Sequence, residues 1–225
     1  MLQKLIITEI RGFRRERIKK IEKGETPLPL DNERKLAKIV LHLVPMKAFD
    51  PAMLLNLATL HKDLKTIKPI YTSVWNGQYN FDGLIVYGHS IMNKKDSIGS
   101  YVQIFRNGII EAVDLRLLLE GYIRGHLFQE GLIEALPRFL LTQKEIGVEV
   151  PIFIMLSMLQ VRGFYLHTDI RTSSPSAIDQ DNLMIPEVEI DDWNSDTIQV
   201  LKPIFDIVWN TVGLPESISY DQIKK

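Results

Sequence analysis

SYVQIFRNGIIEAV, residues 100–113, places two apolar runs, 101–105 and 109–113, on either side of Arg106-Asn107-Gly108. Asn-Gly between two such runs is the strongest short-range signal for a β-hairpin. Glycine supplies the positive φ that the turn needs, and asparagine tolerates it. An antiparallel pair is therefore predicted mid-chain, and neighbouring segments extend it into a sheet. Residues 38–44 (KIVLHLV) read as a strand stopped by Pro45, and residues 81–87 as another. Residues 152–159 are apolar without alternation, the pattern of a central strand covered on both faces. Arg162-Gly163 then turns the chain, and residues 164–167 are expected to return antiparallel. Residues 183–190 read as an edge strand broken by Pro186, because proline has no N–H to give to a ladder.

Helices are expected at both ends. In residues 1–24, Leu2, Leu5, Ile6, Ile10, Phe13, Ile18 and Ile21 recur near the helical period. Residues 5–8 read equally as a short strand, so the helix is clearest from Gly12 onward. Gly24 stops it, and Pro27 and Pro29 forbid continuation. Asp50-Pro51 opens a short helix over 52–61. Residues 70–79 read as irregular, and 115–119 as a helix start broken by Gly121 and Gly125. From Leu127, the stripe Phe128, Leu132, Leu136, Phe139 and Leu140 predicts a helix ending at Gly147. Residues 196–212 close the chain as an amphipathic helix. Pro137 and Pro203 inside these two patterns imply a kink or a late start. A polar loop is expected over 171–181. The expected architecture is a single α+β domain over 1–215, with a loose tail over 216–225. Its core is a mostly antiparallel sheet of about five to seven strands flanked by helices, like a GAF or PAS sensor.

Composition narrows the function classes. Of 225 residues 45% are hydrophobic, and 27 basic side chains balance 28 acidic ones, which excludes a mainly disordered chain. No uncharged apolar run reaches the roughly 18 residues of a membrane span. The start, Met1-Leu2-Gln3-Lys4, lacks the pattern of a secretory signal, so a cytoplasmic protein is expected. Zero cysteines exclude disulfide frameworks, thiolate zinc sites and cysteine nucleophiles. The phosphate-cradling patterns G-x-x-x-x-G-K-[ST] and G-x-G-x-x-G are missing, as are H-E-x-x-H and G-x-S-x-G. The reading therefore favours a non-enzymatic role and calls for no cofactor.

Four groups of residues remain as candidates. Residues 1–25 carry eight basic and four acidic residues, and Arg11, Arg14, Arg15, Arg17, Lys19 and Lys20 crowd one helix that is able to lie along a phosphate backbone. Glu16 and Glu22 allow local ion pairs instead, and a solvated face is the simpler reading. Glu187, Glu189 and Asp191 alternate, so on a strand they share a face that would hold Mg²⁺ for a metal-dependent hydrolase, or would simply be solvated. Glu33-Arg34-Lys35 and Asp63-Leu64-Lys65 match a nuclease-like D/E-x-K step. Trp75, Tyr79, Tyr87 and Tyr101 would line a ligand pocket or pack in the core. Among the five histidines, His42 lies mid-strand and reads as a buried, hydrogen-bonded residue; His89 and His167 end strands, where His167 with Asp169 would support acid–base work.

Several stretches together resemble a known family: residues 13–27 from Phe13-Arg14-Arg15-Glu16-Arg17-Ile18 to Gly24-Glu25-Thr26-Pro27, then Leu41-His42-Leu43-Val44-Pro45, Phe81-Asp82-Gly83-Leu84, residues 100–112, and residues 151–164 (PIFIMLSMLQVRGF). In that order they resemble the C-terminal region of bacterial proteins that begin with a Schlafen-type AlbA-like DNA-binding domain and are often labelled ATP-binding. The resemblance spans about residues 12–212. It implies association with a DNA-linked regulatory or defence system. The AlbA-like module lies upstream in that family, so no DNA- or ATP-contacting residue of it carries over. The expected function is a regulatory or interaction domain acting by protein contact or ligand sensing. Its expected partners are a protein carrying the DNA-binding module, DNA itself, or a second copy in a homodimer, and no membrane.

Overall fold

The longest apolar segments become the central strands of one sheet, and the helical stripes cover its two faces. A computed structural model describes residues 2–31, 36–60, 64–89, 97–119, 121–167 and 176–219. In chain order the elements are α1 (Leu2–Glu22), β1 (Lys38–Pro45), a 3₁₀ turn (Met46–Phe49), β2 (Trp75–Tyr79), β3 (Gly83–His89), β4 (Ile98–Phe105) and β5 (Ile110–Asp114). There follow β6 (Leu118–Leu119), β7 (Tyr122–Arg124), α2 (Gly125–Glu145), β8 (Ile152–Leu159), β9 (Tyr165–His167), β10 (Asn182–Met184), β11 (Val188–Ile190) and α3 (Thr197–Asn210).

The main sheet runs β10-β8-β1-β5-β4-β3-β2, with β11 also on β8, and all of its strand pairs are antiparallel. The hairpin read at Asn107-Gly108 joins β4 to β5: Phe105 N–H donates to the Ile109 carbonyl at 2.9 Å, and Gly108 has φ +84°. β8 is buried along its whole length, as its unalternating sequence requires. Period-2 alternation sorts β1 cleanly. Ile39, Leu41 and Leu43 face the large core shared with Phe128, Leu132 and Phe139 of α2 and with Phe205 and Trp209 of α3. Val40 and Val44 face the opposite side, where α1 lies with Ile10, Ile18 and Ile21. The result is three layers, α1 over the sheet over α2 and α3, in a single α+β domain.

Differences from the sequence reading each have a local cause. α1 is helical from Leu2, with no opening strand. Residues 52–60 form turns rather than a helix, because Asp50 and Asn56 side chains capture the N–H groups of Ala52 and Ala58; His61 lies outside the described residues. Residues 75–79 form an edge strand instead of irregular chain, since Gly77 leaves room for Leu64 to pack over them. Residues 118–119 start a strand, not a helix. Residues 165–167 do not return along β8: Gln160, at φ +59°, turns the chain out of the sheet, and β9 pairs parallel with β7 in a second sheet of order β6-β7-β9. α2 and α3 continue through Pro137 and Pro203, so neither starts late. The tail is held at least to Ile218, whose carbonyl accepts from Gln129 at 2.9 Å, while Ser217 donates to Asp206. Residues 171–175 of the expected loop and residues 220–225 lie outside the described residues.

Candidate functional site

The basic helix is divided by its own periodicity. Arg11, Arg14 and Arg17, three residues apart, all turn toward the sheet. Arg11 Nε donates to Glu187 at 2.9 Å, Arg14 Nη1 to the Ile185 carbonyl at 2.6 Å, and Arg17 clasps Glu111 through Nε and Nη2, both at 2.8 Å. Lys20 pairs with Glu16 at 2.7 Å on the surface. Of the six basic candidates, only Arg15 and Lys19 stay exposed with no ion pair to a described residue. Half of the expected phosphate-binding surface thus serves to dock α1.

Arg17 opens onto a buried polar cluster. Glu111 on β5 accepts from Arg17, from Tyr101 of β4 at 2.7 Å, and pairs with His42 Nε2 of β1 at 3.0 Å. His42 and Glu111 are direct partners across the β1–β5 ladder. Burial alone would raise the Glu111 carboxyl, but hydrogen bonds from Arg17 and His42 hold it down at about 2. Burial beside that carboxylate raises the Tyr101 hydroxyl well above its usual range. Phe13 meets the His42 ring edge-on at 5.5 Å, and the Arg17 guanidinium lies 5.3 Å from the Phe105 centroid. His42, Tyr101 and Glu111 are all fully buried. Through Arg17 this enclosed constellation of acid, base and phenol anchors α1 to the sheet.

The other candidates disperse. Glu187 is committed to Arg11, while Glu189 and Asp191 are exposed. Among the described residues no group of three His, Asp or Glu side chains is placed to hold a metal ion, so the 187/189/191 set does not form a metal centre. Tyr87 and Tyr101 are ladder partners on the α1 face, whereas Trp75 and Tyr79 lie on the opposite face, so the four aromatics line no common pocket. His89 and His167 are exposed at their strand ends; Asp169, Asp63 and residues 33–35 lie outside the described residues.

A concavity lies elsewhere, between the segment 68–73 and the outer side of α2. It has a volume of about 340 Å³. Lys68, Tyr71, Thr72 and Ser73 form one wall, and Glu130, Glu134 and Arg138 form the other, over Gly131. A Cβ at Gly131 would sit 3.3 Å from Ile70 and 3.4 Å from Leu117, so glycine lets the segment lie close to the helix. Arg138 braces this wall by donating to the Lys68 carbonyl at 3.2 Å. Tyr71 has φ +49°, a left-handed conformation that a bulky side chain adopts at a cost, and it is 49% exposed. The sequence carried a weak trace of this wall: polar residues at 130, 134 and 138 repeat every four positions on the solvent side of the α2 stripe. Nothing in the sequence paired them with residues 68–73, which lie some sixty positions upstream.

Comparison of the chain with family models, curated proteins and solved structures gives no match. Among the described residues no helix is long and apolar enough to cross a membrane.

Proposed function

We propose that this chain is a non-enzymatic sensing domain that takes a small polar ligand between residues 68–73 and α2, and passes its occupancy to a protein partner. Tyr71 carries the reading: a strained backbone at an exposed aromatic on the rim of a cleft is where a fold stores conformational cost for binding. The wall chemistry fits a ligand bearing both signs of charge, such as an amino acid, with Lys68 and Arg138 for an anionic group and Glu130 and Glu134 for a cationic one. The resemblance to the C-terminal region of AlbA-like DNA-binding proteins supports a partner that carries the DNA-binding module. The Glu111 cluster is fully buried and ties α1 to the sheet, so the cleft rather than this cluster is taken as the ligand site.

A thermal-shift screen of amino acids, nucleotides and other small metabolites tests the proposal. A ligand present at about 100 times its Kd stabilises the fold by about 2.7 kcal/mol, which in a domain of this size raises Tm by roughly 5–10 °C. Ser73→Trp fills the cleft and is expected to abolish that shift while leaving the unliganded Tm unchanged. A screen without a hit, or a hit that survives Ser73→Trp, overturns the assignment.

A further inference from the structure

The second sheet presents a surface that the sensing cleft does not use. Its inner face is closed by Leu118, Ile123 and Leu166, each at most 1% exposed. Alternation then forces Tyr122, Arg124, Tyr165 and His167 outward. Tyr122 and Tyr165 are ladder partners on the parallel β7–β9 pair, with ring centroids 6.3 Å apart and planes at 35°. They are 51% and 47% exposed, so neither ring covers the other. The next pair along the same face is Arg124 beside His167, both exposed. Two other exposed arginines are neutralised, Arg11 by Glu187 and Arg162 by Asp181, whereas Arg15 on α1 is not. Among the described residues Arg124 has no carboxylate partner. The strip continues into a hollow of about 40 Å³ between Tyr122 and Arg124, bordered by Tyr71 and Arg116. Thr72 Oγ1 fixes Arg116 there by accepting from its Nη1 at 2.8 Å.

We propose that this outer face of the β6-β7-β9 sheet is a platform for single-stranded nucleic acid. Tyrosine rings standing on a sheet offer flat surfaces on which any base stacks. Arg124 and His167 are two residues further along each strand, roughly 6.6 Å away, within reach of the phosphate of a stacked nucleotide. An arginine with no carboxylate partner among the described residues, next to exposed rings, complements an anionic, aromatic polymer. A duplex keeps its bases in the stack and offers this flat face only phosphates, so the platform favours single strands. The platform is separate from the basic helix and adjoins the cleft at Tyr71. Tyr122, Tyr165 and Arg124, on which it rests, line no part of the cleft, so its test is distinct from that of the sensing proposal.

Fluorescence anisotropy with labelled oligothymidine and oligouridine of about 15 nucleotides, and a duplex of equal length, tests it at two salt concentrations. Single strands are expected to bind more tightly than the duplex. Tyr122→Leu with Tyr165→Leu keeps the apolar cover and is expected to weaken binding roughly 10- to 100-fold. Tyr122→Phe with Tyr165→Phe retains it and guards against a folding artefact. Arg124→Ala is expected to lower the salt slope by about one, and Arg15→Ala with Lys19→Ala to change nothing. The proposal is overturned by absence of binding at the lower salt, by equal binding of the leucine pair, or by a loss that follows the Arg15/Lys19 pair instead.

Discussion

Glu111 gathers donors from three elements, His42 of β1, Tyr101 of β4 and Arg17 of α1, and through Arg17 it ties the helix to the sheet. Arg17, 11% exposed at its side chain, has no other carboxylate to turn to among its described hydrogen bonds. Glu111→Gln therefore strands a largely buried guanidinium and is expected to cost about 3–5 kcal/mol, read as a lower denaturant midpoint with unchanged slope. Adding Arg17→Met to that variant should recover part of the loss, since the stranded charge goes with it. A double variant no better than the single one would locate the damage in Tyr101 and His42. Little of this was legible in the sequence. His42 mid-strand suggested a buried partner, but its partner lies 69 residues away, and Arg17 looked like one more member of a surface run. Register across β1 and β5 decides such pairs, and a single sequence does not state register.

At the scale of elements, the hairpin, the central strand and the helical stripes were legible because period and turn chemistry agree there. The short pieces were not, because their pairing is set by tertiary contacts: β2 and β9 are each made by a neighbour rather than by their own residues. Gly83, opening β3, illustrates the reverse, a residue whose identity the fold dictates. It has φ +153°, and a Cβ there would lie 2.0 Å from the Ile104 carbonyl oxygen. Gly83→Ala forces β3 away from β4 and is expected to destabilise by several kcal/mol, at the upper end for single substitutions. Gly12→Ala on α1, where a Cβ meets nothing within 4 Å, is its control and is expected to stabilise by up to about 1 kcal/mol. Equal melting temperatures for the two variants would remove Gly83 from this role.

For the molecule as a whole, two buried carboxyls on opposite faces of the sheet set the pH profile in opposite senses. Glu111, held at about 2, stabilises the fold above its ordinary value of 4.5 and loses that contribution as pH falls toward 2. Asp114 is pushed up to about 7 by burial, although its Oδ1 accepts from the N–H groups of Arg116 and Leu117. Its raised value means that the folded state binds the proton more tightly. Stability therefore declines as pH rises from about 4 to about 7 and then levels. Asp114→Asn keeps an acceptor for both N–H groups and removes the charge. It is expected to be the more stable protein at pH 8 and to lack the decline between pH 4 and pH 7. Denaturant titrations across that range check this, and a steeper decline in the variant would contradict it.

The two margins of the main sheet are unlike one another. On one side Pro186 splits the edge into β10 and β11, three residues each, too short to template a further strand. On the other, β2 is a continuous five-residue edge bearing a half-exposed Trp75 and an exposed Tyr79. Copies of this chain that met edge to edge would have one usable border apiece. Assembly by that route closes at two and has no open end from which a filament could grow.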